Sequence, residues 1–483
     1  MQTSSSNTEM ERLRDAIDAA WEVAHNFGLD PFPTHFELVP ASIMYEFASY
    51  GLPGRFSHWT YGKAYYRQKM QYDFGLSKIY EMVVNTNPSY AFLMEMNNLL
   101  QNTFVAAHVF GHTDFFKNNA YFQHTSRRMI DKASVHADRI AKYEFDHGRE
   151  EVERFLDAAL SIQEHIDYNL FIQGDDHLAK DEAPRTIPSS VYDDIWVLDD
   201  RAKRAEEERD ARPGKPPKLP EKPEKDILLF LIEHAPHLQS WQRDILEIVR
   251  SEMLYFIPQM QTKIMNEGWA SIWHSRIMRK LADMGVINDP EIIEFAQLHS
   301  SVLSPSRTSL NPYYLGFKMF EDIEKRWDNP TQEERDLLGR KPGQGKEKMF
   351  EVRELDNDVS FLRNYLTENL IRELDLYLYK KEGDEWVIVE KNWEKVRDTI
   401  VANMTNFGNP YLVVDNGDYH GNRELYIKHL YEGQELDLPY AERTLQHVYT
   451  MWGRAVHIET VYDGKRILLT YDGERSSKST LER

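Results

Sequence analysis

The chain contains no cysteine. That absence excludes disulfides, thiolate zinc sites, iron–sulfur clusters and cysteine nucleophiles together. Any metal must therefore take nitrogen and oxygen ligands. Long apolar runs are missing too: none approaches the ~20 residues needed to cross a bilayer, and the N-terminus does not read as a signal peptide. Basic residues are outnumbered, 58 against 79 acids, for a net charge of −21. Such a surface repels nucleic acid and anionic lipid wherever no local basic patch intervenes. These absences predict a soluble cytoplasmic protein with no nucleic-acid partner and no transmembrane segment.

What is present is ample for a large core: 483 residues, 41% of them hydrophobic, enough for two or three domains. Thr8-Glu9-Met10-Glu11 reads as a helix capping box, followed by Leu13, Ile17, Trp21, Ala24 and Phe27 at helical spacing and Gly28 as a stop. Val152, Phe155, Ala159, Ile162 and Ile166 form another helical stripe, and Ile245, Ile248, Val249 and Tyr255 a third. Between them lies a charged tract with Pro213, Pro216, Pro217, Pro220 and Pro223, too poor in apolar residues to order itself.

Beyond a second break at 329–349, with Pro330, Pro342, Gly343 and Gly345, the period changes from helical to alternating. Strands are expected near Leu374–Leu378, Trp386–Ile388, Tyr411–Val414, Leu425–His429, Val456–Tyr462 and Arg466–Tyr471. Helices are expected at Trp393–Phe407 and Pro439–Trp452. The predicted class is mainly α with an α+β C-terminal part of order ββαββαββ. The corresponding division is a helical domain in two halves (1–182 and 226–328), a linker or insertion at 183–225, a linker at 329–349 and an α+β domain at 350–483.

His108 and His112 carry the strongest chemical signal. Spacing of four on a helix stacks both rings on one face, where they can grip one metal ion. The competing reading is two core histidines hydrogen-bonded to carboxylates or carbonyls. A zinc-protease helix needs Glu directly after the first histidine; Val109 stands there, which disfavours that mechanism. The missing group can come from Asn266–His274, where Glu267 and His274 lie two turns apart on one face. His108, His112, His274 and Glu267 would suit zinc, or iron(II) with a two-His-one-carboxylate set, with Glu267 as ligand or general base. Alternatively Glu267 pairs with Arg276 or Arg279, and Trp269 and Trp273 fill core.

Lesser candidates surround this set. Glu252 lies fifteen residues before Glu267, with Pro258 expected to kink the helix between them. Asp114 and Lys117 can support the histidines or cap the helix end. Glu46, Arg55 and His58 flank a turn-rich segment and can line a pocket, while His136 can reach the site from its own helix. Other motifs are absent. Around Gly62-Lys63, Ser57 and Ala64 break the phosphate-loop pattern; no Gly-x-Ser-x-Gly elbow occurs; Asp415-Asn416-Gly417-Asp418 reads as a hairpin turn.

Five stretches together resemble one family. Ala107–Asn119, Gly54–Gly62, Asp226–Pro236, Met260–Arg279 and Asn311–Glu324 are similar to the signatures of the SpoVR (stage V sporulation protein R) family. The resemblance implies an association with spore cortex, the modified peptidoglycan of endospores. It also implies, in bacteria without spores, the company of a serine protein kinase and a von Willebrand-like protein. It carries no reaction and no ligand set. Two functions are therefore expected to compete: a metal-dependent hydrolase or oxidoreductase, and a non-catalytic regulator or scaffold acting with the kinase system.

Overall fold

The computed structural model describes residues 2–73, 81–169, 218–305, 310–383 and 385–481. Up to residue 147 the elements are α1 (Gln2–Asn26), β1 (Thr34–Val39), α2 (Ala41–Tyr50), α3 (Trp59–Asp73), β2 (Glu81–Val84), β3 (Ser89–Met94), α4 (Leu99–Asn118) and α5 (Met129–His147). Next come α6 (Arg149–Leu160), α7 (Ile227–His234) and α8 (Ser240–Gln261). Then follow α9 (Lys263–Asp283), α10 (Asp289–Val302), α11 (Pro312–Asp328), α12 (Gln332–Leu338), α13 (Gly345–Leu355), α14 (Asp358–Tyr365) and α15 (Glu368–Glu373). The chain ends with β4 (Leu378–Glu382), β5 (Glu385–Glu390), α16 (Trp393–Met404), β6 (Leu412–Tyr419), β7 (Glu424–His429), α17 (Leu438–Trp452), β8 (Val456–Tyr462), β9 (Lys465–Tyr471) and β10 (Ser476–Thr480). No helix among the described residues is long and apolar enough to cross a membrane.

Two compact units interleave along the chain: residues 1–146 with 254–409, and residues 147–253 with 410–483. The first is mainly helical. Its centre is α4, buried at almost every position from Leu100 to Phe116. A helix apolar on all sides has to lie inside a large core, and this one is packed by α1, α9 and the sheet β1-β3-β2. Asn98 starts it with a reciprocal capping box to Gln101. Glycines let the central helices approach closely. A Cβ on Gly111 would stand 2.5 Å from Ala270 Cα, and one on Gly268 2.3 Å from the Gly316 carbonyl carbon. The crossings of α4 with α9 and of α9 with α11 thus require hydrogen where other residues carry a side chain. In the sheet, β1 runs parallel to β3, and β2 antiparallel with Glu81 opposite Leu93.

Helices α13 to α15 pack into this same core through Met349, Val352, Phe361, Leu362 and Leu370. The hairpin β4-β5 forms a two-stranded sheet of its own. In the second unit, β10-β9-β8-β7-β6 is a five-stranded mixed sheet whose parallel pair, β7 and β8, is joined by α17. The C-terminal part is thus α+β, in the expected element order and with β10 added.

Several local expectations change. α1 begins at Gln2, so Thr8 lies within the helix and does not cap it; Gly28 stops it with φ +84°. Asp415–Asp418 is not a turn: β6 continues through it with a register shift, and the reversal falls at His420–Arg423, three of whose residues adopt positive φ. Backbone pairing of Val414 with Glu224 and the Gly417 amide's bond to the Leu219 carbonyl hold that stretch extended. α8 passes through Pro258 and ends at Gln261; the Thr262 hydroxyl bonds the Pro258 carbonyl at 2.7 Å before α9 starts. Most of the expected linker, including Pro213, Pro216 and Pro217, lies outside the described residues, as does Asp384 of the β4-β5 turn.

Candidate metal centre

One turn of α4 separates His108 from His112, and their ring centroids are 4.6 Å apart. Both Nε2 atoms face the same two carboxylates. Glu81 Oε1 stands 3.4 Å from each, and Glu267 Oε2 stands 3.6 and 3.5 Å away. Glu81, His108 and His112 present ligand atoms that all lie within 4.8 Å of one another. An ion with bonds of about 2.0–2.1 Å spaces neighbouring ligands about 3–3.4 Å apart, so the Glu81 separations fit.

The far side of each ring is anchored. His112 Nδ1 meets Asn266 Oδ1 at 2.9 Å. An amide oxygen only accepts, so this nitrogen carries a proton, and Nε2 is the atom turned toward the carboxylates, able to offer a lone pair to an ion once its own proton is lost. His108 Nδ1 meets His274 Nδ1 at 2.8 Å, and His274 Nε2 meets His299 Nδ1 at 2.8 Å. If His108 offers Nε2 to an ion, its Nδ1–H donates to His274, whose Nε2–H donates to His299. One proton per ring satisfies the chain. Each histidine pairing thus leaves a nitrogen pointing inward.

Electrostatics agree with a site that attracts a cation. Burial lowers the His112 pKa, but Glu81, Glu267 and Asn266 outweigh it and lift it to about 9. Burial pushes the Glu267 carboxyl up, yet the two histidines and Lys263 hold it below its usual value. Glu267 Oε2 is buried with no hydrogen bond of ordinary length, and the two ring nitrogens at 3.5 and 3.6 Å are what keeps it ionised there. Burial, followed by Glu267 and Glu81, raises the Tyr313 phenol above its ordinary range, and its ring stacks on His108 at 6.0 Å. His274 is depressed well below 6.5 by burial and then by its histidine neighbours; His299 falls to about 4 by burial, Arg279 and His108. Both are neutral relay rings.

The structure brings His108, His112 and Glu267 together and adds Glu81. His274 does not face the cluster: both its nitrogens are engaged by histidines, and it sits behind His108. Of the two arginines expected as alternative partners of Glu267, Arg276 pairs with Glu324; Trp269 and Trp273 fill core, as that alternative expected. Asp114 is buried elsewhere, accepting from the Asp30 amide and Trp269 Nε1, both at 2.8 Å, with Arg353 at 3.7 Å. Lys117 pairs with Asp30. Arg55 donates to the Tyr50 carbonyl and lies over Tyr61; His58 Nδ1 meets the Thr60 hydroxyl. Glu46 is exposed on α2, His136 is buried on α5, and Glu252 is buried on α8 in the second unit. Asn266, His299, Tyr313 and Glu81 were not singled out by sequence reasoning. For Glu81 the available signal was an acid heading the apolar strand Met82-Val83-Val84.

Comparison with known proteins follows these boundaries. A family model described as "SpoVR like protein" matches residues 7–409, and one described as "SpoVR-like C-terminal domain" matches residues 410–463. The junction coincides with the last boundary between the compact units. An Escherichia coli (strain K12) relative, "Uncharacterized protein YcgB", is 29% identical over 497 aligned positions, covering 94% of this chain and 95% of its own. No solved structure matches the chain.

Proposed function

The chain belongs to the SpoVR-like family, and from the geometry of its buried histidine–carboxylate cluster we propose that it is a metal-dependent enzyme of hydrolytic or oxidative type. His108 Nε2, His112 Nε2 and Glu81 hold the ion, and Glu267 is the acid–base group beside it. The observation that carries the reading is the buried, unbonded Glu267 Oε2 facing two nitrogens whose opposite atoms are tied back. With both ring nitrogens beyond ordinary hydrogen-bond length from it, that oxygen stands at the spacing an ion between them would set. Bound zinc would supply Lewis acidity; bound iron(II) would add redox chemistry.

The chain's own residues do the rest. Asn266 and His274 fix the two ligand rings, Glu267 stays ionised to accept a proton at Oε2, and Tyr313 screens His108 from one side. Cobalt(II) titration of two variants tests the division of roles. Glu81→Gln is expected to weaken cobalt binding by 100-fold or more, while Glu267→Gln keeps it within about tenfold. Cobalt affinity unchanged in Glu81→Gln would refute the ligand assignment.

A further inference from the structure

We propose that α3 is a peripheral docking helix that lays Trp59, Tyr66 and Met70 on an anionic lipid bilayer. One face of α3 is turned inward. The Tyr61 ring lies 5.3 Å from Tyr50 and 5.9 Å from Phe56, and Gln68 accepts from the Ser49 hydroxyl at 3.1 Å. The outward face carries three large apolar side chains in contact with solvent: Trp59 is 53%, Tyr66 73% and Met70 55% exposed. Intervals of seven and four residues align them within about 40° of one another around the helix.

A basic row runs along one side of this stripe. At 100° per residue, Lys63 and Arg67 fall about 40° and 80° to one side of Trp59; on the other side Asp73 falls at about 40° and Lys69 at about 80°. No acidic residue occurs in α3 before its last position, Asp73. In a chain with a net charge of −21 this is a local reversal of sign. An apolar stripe beside a basic row matches a headgroup layer over acyl chains, with Lys63 and Arg67 reaching up to phosphate. A protein partner fits poorly, because three side chains fall far short of the 20–30 residues that each side of a stable interface uses.

Co-sedimentation of the full chain with vesicles tests the proposal. The protein is expected to pellet with phosphatidylglycerol-containing vesicles, less so as salt rises, and not with pure phosphatidylcholine. The triple variant Trp59→Ser/Tyr66→Ser/Met70→Ser and, separately, Lys63→Glu/Arg67→Glu should each lower partitioning about tenfold or more. Both change exposed positions, so circular dichroism and melting should match the parent. Equal pelleting on both vesicle types, none on either, or partitioning unmoved in the triple variant would overturn it. A concentration-dependent dimer lost in the triple variant would overturn it too, assigning the face to a second copy. Chelator leaves the expected result unchanged, which separates this proposal from the metal reading.

Discussion

At the scale of single residues, the candidate centre rests on which ring nitrogen is tied back. Asn266→Ala removes the acceptor that orients His112, and His274→Ala removes the one that orients His108. Each is expected to lower zinc affinity about 10–100-fold in a competition titration against a chromophoric chelator. Nitrogen-15 spectra of the zinc-loaded protein should place protons on His108 Nδ1, His274 Nε2 and His299 Nε2. A proton on His274 Nδ1 would contradict the relay. Spacing alone exposed the histidine pair and put Glu267 on a common face with His274. It did not distinguish a ring facing the cluster from one behind it, because positions two turns apart share a face while their side chains reach different turns of the neighbouring helix. Glu81 was not legible, since strand pairing and not local pattern delivers it to α4.

Among elements, glycine decides how near α4 and α9 can come. Gly111→Ala forces a Cβ against Ala270 and is expected to cost about 1–3 kcal/mol in denaturant unfolding. Cobalt affinity should fall with it, because the shift separates His112 from Glu267. α9 has a second device at its start: Asp358 accepts from the Ile264 and Met265 amides at 2.8 and 2.9 Å. Burial outweighs these bonds and Lys263 and raises its pKa to about 7. A carboxyl whose folded pKa exceeds its unfolded one keeps a proton in the folded state between about pH 4 and 7. Its contribution to stability therefore falls as pH rises through that window and is level above it. The stability difference, parent minus Asp358→Asn, should shrink from pH 4.5 to 7.5; a difference that grows would reverse the assignment. Element order in the C-terminal part was readable from the switch of period. The course of β6 through Asp415–Asp418 was not, because long-range backbone pairing overrides the turn preference of that sequence.

Over the whole molecule, the candidate centre draws on β2, α4 and α9, with α10 and α11 in support, all within the first compact unit. Periodicity marks which face of each helix is buried, but it does not say against what; the packing of α13 to α15 beside α4 and α9 is of that kind. An ion bound only by the folded chain stabilises it by mass action, about 2.7 kcal/mol at 100 times its dissociation constant. Chelation should therefore lower the melting temperature of the parent and leave His112→Ala unmoved. The most direct test is the elemental composition of the parent protein purified without a histidine tag. About one equivalent of zinc or iron per chain is expected, lost in His112→Ala. Less than about a tenth of an equivalent of any transition metal, with melting unaffected by chelator, would contradict it.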